Sequence, residues 1–173
     1  MEHAAACWAF AAVASIEGIN QIVTEKLLSL SEQELIACDY NDHGCSGGLH
    51  YRAFSYVVAT GGITTEDRYP YNPDHILCHD YDDWDVLISI SGYEIVPTND
   101  EKSLVKAVAN QPVAVRIDAN EIKSYSGGIF DGHCGTNLNH EVTLVGYDTD
   151  EDGTAYWIAK NSWGTDWGDD GYL

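Results

Sequence analysis

The apolar residues of this chain keep one period before about Tyr81 and another after it, so helix and sheet must divide the 173 residues between them. From Cys7 onward, Trp8, Ala11, Ala12, Ile16, Ile19 and Ile22 recur near every 3.6 residues while Glu17 and Gln21 fall elsewhere. That spacing predicts a long, mostly buried helix over 7–22. Ser31 with Glu34 forms a capping box that opens a short second helix, with Leu35, Ile36 and Cys38 on its inward face. A third helix is predicted over 49–59, with Tyr51, Phe54, Val57 and Val58 as its apolar stripe and Gly61-Gly62 as its left-handed exit. Beyond Tyr81 β-branched residues take over. Segments 86–95 and 113–117 read as strands, and a helix over 98–110, boxed by Thr98 and Glu101, lies between them. Segments 141–147 and 155–160 then alternate around an Asp-rich turn holding Gly153, the pattern of a hairpin. The fold class is therefore α+β, with the acidic run 80–85 as a surface connection between the halves.

Charge narrows the partners. Twenty-eight acidic residues against eight Lys and Arg leave a formal net charge of -20, a field that repels phosphate backbones and anionic lipid headgroups. Neither nucleic acid nor a membrane is expected as a partner. The longest apolar stretch, 4–16, is too short to span a bilayer, and Glu2 and His3 replace the cationic flank of a secretory signal. Five cysteines, Cys7, Cys38, Cys45, Cys78 and Cys134, are an odd number without zinc-type pairs. Long-range disulfides plus a reactive thiol, in an oxidising or lumenal compartment, fit that count.

Three distant residues suggest chemistry. A cysteine in the first turn of a helix feels the positive end of the dipole, which favours thiolate, and a histidine beside it completes an ion pair. Cys7 meets the first condition; the alternative is a buried structural cysteine. His140 stands at the start of one predicted strand and Asn161 just after the next, so a hairpin places them at one end of neighbouring strands. There an Asn oxygen can accept from an imidazole N–H and hold the ring toward a thiolate.

Cys7-Trp8-Ala9-Phe10, Ser31 to Leu35, Gly44-Cys45-Ser46-Gly47-Gly48, Tyr69-Pro70-Tyr71, Gln111-Pro112-Val113, Asn139-His140 and Asn161 to Gly168 occur in that order. Together they resemble the papain family of cysteine peptidases across nearly the whole chain. The resemblance implies a papain-like two-lobe fold, with a helical left lobe over 7–95, a β-rich right lobe over 96–173, residues 1–6 as remnant of a crossover segment, and a cleft between the lobes. It implies a cysteine-type endopeptidase in which Cys7 attacks as thiolate, His140 is its ion-pair partner and Asn161 orients His140. By position it puts Trp163 over the Asn161 to His140 hydrogen bond and makes Gly47 and Gly48 backbone contacts for an extended substrate. Leu49, His50, Arg116, Leu138 and Asn139 fall in or beside its substrate pocket. Arg116 is unusual there and suggests acceptance of acidic side chains, the alternative being an Arg turned to solvent or paired with a neighbouring acid. The partners implied are protein or peptide substrates, with cystatin-like inhibitors or a pro-segment as further binders, acting on a monomer without metal or cofactor. The implied location is the secretory pathway, in a lysosome- or vacuole-like lumen or outside the cell.

The chain also departs from that pattern. Met1 stands where the family carries an oxyanion-hole Gln, and losing one such donor typically costs about 10²–10³ in kcat, leaving the Cys7 backbone N–H. Upstream and downstream segments of the family are absent, so both lobes are expected to be incomplete, and a second expectation is a protease-like fragment or pseudoenzyme that at most binds peptides. Glu141 follows His140 where a tiny residue is usual, and its charge is expected to raise the imidazole or crowd the site. Asp148, Asp150, Asp152 and Gly153 open like a calcium loop, but Ala159 replaces the closing Glu. His75, Cys78 and His79 lack a fourth ligand for zinc.

The resemblance pairs Cys38 with Cys78 and leaves Cys45 and Cys134 without partners, Ala4 standing where the mate of Cys45 would be. Mass mapping without reduction is expected to find one disulfide and three free thiols; two intact disulfides would contradict the assignment.

Overall fold

The structure is a computed structural model that describes residues 5–74, 77–78 and 88–173. Met1, Ala4, His75, His79, the acidic run 80–85 and the start of the segment 86–95 lie outside the described residues. The chain divides into two compact units, with the boundary between Ile95 and Val96.

The first unit is helical. Helix α1 (Cys7–Thr24) buries Trp8, Ala9, Ala11, Ala12, Val13 and Ile16. The core that forms around them includes Leu30, Leu35, Ile36, Ala53, Val57 and Ile63. Alanines on both α1 and α3 keep side-chain volume low where the two helices pack. The apolar period outruns the core at the C-terminal end: Ile22 is 55% exposed, and Glu25 ends the helix in a left-handed conformation at φ 62°. Helix α2 (Glu32–Cys38) begins at Ser31, whose hydroxyl accepts the Glu34 N–H at 3.0 Å. A single 3₁₀ turn (Gly44–Ser46) leads to α3 (His50–Thr60), which Gly61 ends at φ 85°. Along α3 the buried stripe is Ala53 and Val57, with Phe54 partly covered, whereas Tyr51 and Val58 face solvent. The expected stripe is displaced around the helix, because Tyr51 and Val58, two and five positions from Ala53, lie about 160° and about 140° away from it at 3.6 residues per turn. The disulfide joins Cys38 at the end of α2 to Cys78, and Cys7, Cys45 and Cys134 are not disulfide-bonded. In the chain-entropy account a loop of this length contributes about 4 kcal/mol.

Only half of the expected capping box forms. The Glu34 carboxylate accepts the Thr64 N–H at 2.7 Å and the Tyr56 hydroxyl at 3.3 Å. The Ser31 N–H goes to the Thr64 carbonyl instead. Glu34 is 1% exposed, and its charge is engaged in tertiary bonds that link α2, α3 and the segment after α3.

The second unit is an antiparallel sheet in the order β1 (Val113–Ile117), β2 (His140–Thr149), β3 (Ala155–Lys160), with α4 (Glu101–Val108) packed on β2. Val108, Val142, Leu144 and Ala159 form its core. Asp100 caps α4 by accepting the Ser103 N–H at 3.1 Å, two residues later than Thr98 was expected to. The intervening Asn99 is left-handed at φ 59°, a turn that starts the helix late. The register of β2 with β3 slips between Leu144 and Gly146, leaving Val145 unopposed. The hairpin closes on Asp150, whose Oδ1 accepts from the N–H groups of Asp152 and Thr154. Those bonds give the Asp-rich turn a structural use. Among the described residues of the segment expected as a strand, Ile88 makes one isolated bridge with Ile63 and no strand forms.

Burial pushes the Glu34 carboxyl from 4.5 up to about 7, against the Thr64 and Tyr56 hydrogen bonds that lower it. A carboxyl raised in the folded state gives stability that is complete below its unfolded value and is lost as pH climbs through the folded one. The window is therefore about pH 4.5 to 7. Denaturant midpoints of wild type and Glu34→Gln across that window should show wild type losing stability relative to the variant, by up to about 3 kcal/mol. A constant difference would remove Glu34 as the source.

Candidate active site

In the first unit, α1 starts at Cys7 with no side-chain cap and no acidic residue in its first turn. No carboxylate there offsets the positive end of the helix. Cys7 is half-buried. The next residue, Trp8, is wholly buried, and its indole N–H donates to the Gly44 carbonyl at 3.1 Å. That bond anchors a tight segment in which the His43 N–H donates to the Gly47 carbonyl and the Ser46 N–H to the His43 carbonyl, both at 2.9 Å. Gly48 rests on the indole face. A Cβ there would lie 2.5 Å from Trp8 Cδ2 and 2.9 Å from Asp42 Cγ, so no other residue fits without moving the loop. Leu49 then caps α3, its N–H donating to Asp42 Oδ1 at 3.1 Å, and His50 sets its ring edge against Tyr51 and Phe54. The structure thus ties Gly47, Gly48, Leu49 and His50 to the residue following Cys7. Asp42 and Trp8 hold this segment, and neither was singled out for that part in the sequence. The available signal was a Trp beside the cysteine paired with two consecutive glycines.

In the second unit, antiparallel pairing places the first residue of β2, His140, beside Asn161, the residue following β3. His140 Nε2 lies 2.7 Å from Asn161 Oδ1, and the same oxygen accepts the Ser162 N–H at 2.8 Å. A backbone N–H can only donate, so this end of the carboxamide is the oxygen, and the imidazole nitrogen facing it must carry the proton. Neutral His140 is therefore the Nε2–H tautomer, with its lone pair on Nδ1. The Asn161 Nδ2 group is buried and meets no acceptor among the described residues. A buried unpaired donor is destabilising, which argues that this carboxamide is present for its oxygen. Trp163 stacks on the His140 ring at 4.8 Å and 30°, and Trp167 sets its edge against Trp163 at 4.9 Å. Trp167 belongs to the quoted Asn161 to Gly168 motif, yet its buttressing part is visible only in three dimensions.

Burial lowers the imidazole's proton affinity below its ordinary value, opposed by the Asn161 hydrogen bond and the Glu141 charge. The expected upward push from Glu141 exists but is outweighed. Successive strand residues face opposite ways, and Glu141 pairs across β1 with Arg116, Nε to Oε1 at 3.8 Å. Arg116 also donates to the Leu138 carbonyl. Pairing with a neighbouring acid is the alternative that the sequence left open for Arg116. Asn139 is held firmly: its Oδ1 accepts the Ala119 N–H at 2.9 Å, its Nδ2 donates to Asn120 Oδ1, and its own N–H donates to the Ile117 carbonyl. Leu138 is 47% exposed beside it. Among the described residues no group of three or more His, Cys, Asp or Glu side chains is placed to hold a metal ion. No described helix is long and apolar enough to cross a membrane.

Comparison with known proteins gives this geometry a context. The family profile described as "Papain family cysteine protease" matches residues 2–173. Vignain from Vigna mungo is 54% identical over 170 residues, covering 96% of this chain and 47% of that protein. The ragweed pollen allergen Amb a 11, a cysteine protease solved in its proform, has a TM-score of 0.93 at 47% identity, over 97% of this chain and 52% of its own. A solved cysteine protease of Carica candamarcensis has a TM-score of 0.92 at 41% identity, over 99% of this chain and 79% of its own. The chain spans about half the length of the curated relatives it matches.

With Cys7 blocked by an alkylating reagent, an NMR titration should find the His140 midpoint below about 6.5 and the neutral ring protonated on Nε2. Asn161→Ala should lower the midpoint further, since it removes a bond that favours the charged ring. A midpoint above the ordinary value, or an Nδ1–H tautomer, would overturn this account of the site.

Proposed function

Because the chain belongs to the papain family of cysteine proteases, we propose that the protein is a cysteine endopeptidase that hydrolyses peptide bonds through Cys7, His140 and Asn161. The observation that carries the reading is the fixed Nε2–H tautomer of His140, since only a ring with Nδ1 available can exchange a proton with a thiol while Asn161 holds its other nitrogen.

In this mechanism the Cys7 thiolate forms a C–S bond to the substrate carbonyl carbon. The imidazolium of His140 gives its proton to the departing amine nitrogen as the C–N bond breaks. Water then adds to the thioester, His140 takes its proton, and the carboxylate product leaves as the thiolate is restored. Asn161 keeps the ring oriented through both steps, and the Trp163 stack excludes water from the hydrogen bond between them. Gly47 and Gly48 offer backbone groups to an extended peptide in the manner of strand addition, with Leu49, His50, Arg116, Leu138 and Asn139 setting side-chain preference. The Arg116–Glu141 pairing favours apolar over acidic side chains at that position. Protein or peptide substrates and a pro-segment are the partners, in a secretory or vacuolar lumen suited to an acidic chain carrying a disulfide.

Limited alkylation and peptide assays test this. Cys7 should be the one thiol alkylated rapidly below pH 7, and Cys7→Ser should abolish cleavage. His140→Ala should lower kcat by roughly 10²–10⁴, the range for a lost acid–base group. Peptides with Leu two residues before the scissile bond should be cleaved better than matched peptides with Glu. Cleavage that survives Cys7→Ser would remove Cys7 as the nucleophile, and slow labelling of Cys7 alongside Cys45 and Cys134 in a protein that cleaves no peptide would leave only a peptide-binding fragment.

A further inference from the structure

Beneath the Gly44–Leu49 segment of the first unit lie two buried carboxyl groups that the mechanism does not use. Asp39, at the end of α2, is 3% exposed and Asp42 is 6% exposed. Each has one satisfied oxygen. Asp39 Oδ1 accepts the Asn41 N–H at 3.0 Å, and Asp42 Oδ1 accepts the Leu49 N–H at 3.1 Å and faces Arg52 Nη1 at 3.5 Å. Both Oδ2 atoms are buried and receive no donor from any described residue. The Asp42 N–H donates to the Asp39 carbonyl at 3.2 Å, which brings the two residues together in one turn, and Asp39 acts on the Asp42 carboxyl both by charge and by hydrogen bonding. Two acceptors cannot bond without a hydrogen, and two adjacent buried carboxylates repel strongly, whereas a single proton satisfies both oxygens at once.

Asp42 sits under the backbone that the proposed function assigns to peptide binding. Asp42 Cγ and the Trp8 indole are the two surfaces against which Gly48 is pressed, and the Asp42 to Leu49 bond sets the start of α3. Of the other charged or titratable groups, Arg52 of α3 faces Asp42, while Glu34 of α2, Tyr56 of α3 and Tyr40 lie on the Asp39 side. His43 is on the same segment.

We propose that Asp39 and Asp42 share one proton, and that Asp42 is thereby a positioning residue that holds Gly47 and Gly48 for peptide binding and loosens them when the proton leaves. This rests on the reading of those glycines as substrate contacts. Burial first, and then the Asp39 charge, pushes the Asp42 carboxyl up to about 6, against Arg52 and the Leu49 N–H. The shared proton is accordingly kept in mildly acidic surroundings and released toward neutrality.

Asp42→Asn separates this from a merely structural part. The carboxamide keeps Oδ1 for Leu49 and supplies a permanent N–H to Asp39, imitating the protonated pair at every pH. With a fluorogenic peptide, wild-type KM should rise severalfold from about pH 5 to about pH 8, while KM of Asp42→Asn stays at the low value throughout. Asp39→Asn should behave likewise and serves if the first variant folds poorly. Amide protection factors of Gly47, Gly48 and Leu49 give a second readout that needs no turnover. They should fall over the same range in wild type and remain constant in Asp42→Asn. A wild-type KM and protection that do not change with pH, or an Asp42→Asn protein that follows the wild-type curves, would overturn the shared proton even in an active enzyme. Protection that behaves as expected in a protein cleaving no peptide would support the shared proton and remove the peptidase reading instead.

Discussion

A buried indole is the contact on which the first unit depends. Trp8 follows the cysteine at the start of α1, donates its one N–H to Gly44 and presents its face to Gly48, so the position of the loop is slaved to the position of the helix. The indole also belongs to the core with Leu35, Ala53 and Val57, which means that the same side chain anchors packing and fixes the candidate substrate backbone. Truncating a buried aromatic typically costs about 3–5 kcal/mol, so the loop is held as firmly as the core itself. A loop of small residues needs such an external support, because glycine contributes no side-chain contacts of its own.

The second unit solves a different problem with a different device. An imidazole is useful in proton transfer only if one nitrogen is committed and the other left available. The hairpin delivers this by ending β3 where β2 begins, so that Asn161 meets His140, and the Ser162 N–H fixes which end of the carboxamide faces the ring. Trp163 stacks on the His140 ring beside that bond and is itself backed by Trp167. The Asn161 Nδ2, which meets no acceptor among the described residues, is the structural disadvantage accepted for this arrangement. Glu141 and Arg116 neutralise each other across the strands, so the negative charge beside the histidine does not dominate its proton affinity.

Much of the fold was readable in advance where one local force acts alone. The period of Trp8, Ala11, Ala12 and Ile16 marked α1, Gly61 marked the end of α3, and the alternation on either side of Gly153 marked the β2–β3 hairpin. The misreadings occurred where tertiary contacts compete with local ones. Glu34 has the spacing of a box partner, but a buried carboxylate gains more from Thr64 and Tyr56 than from returning to its own helix start. Tyr51 and Val58 are apolar yet point outward, since the small Ala53 sets the helix face that packs. Thr98 and Asp100 are both competent caps, and the left-handed turn at Asn99 chose between them. Among the described residues of the β-branched segment, Ile88 alone forms a bridge, and propensity without a neighbouring strand does not make a sheet.

The sequence by itself determined that helix and sheet occupy separate halves, that a cysteine opens a helix, and that a histidine and an asparagine meet at one end of a hairpin. Those are consequences of residue period and spacing, which need only short-range geometry. What the tertiary structure decided was the state of the groups so placed. The tautomer of His140, the partner of Arg116 and the proton needed between Asp39 and Asp42 all follow from which donors and acceptors are buried together. A linear pattern records that a side chain can ionise or donate. Only the packed chain removes the water that would otherwise satisfy it, and so compels it to find its partner in the protein.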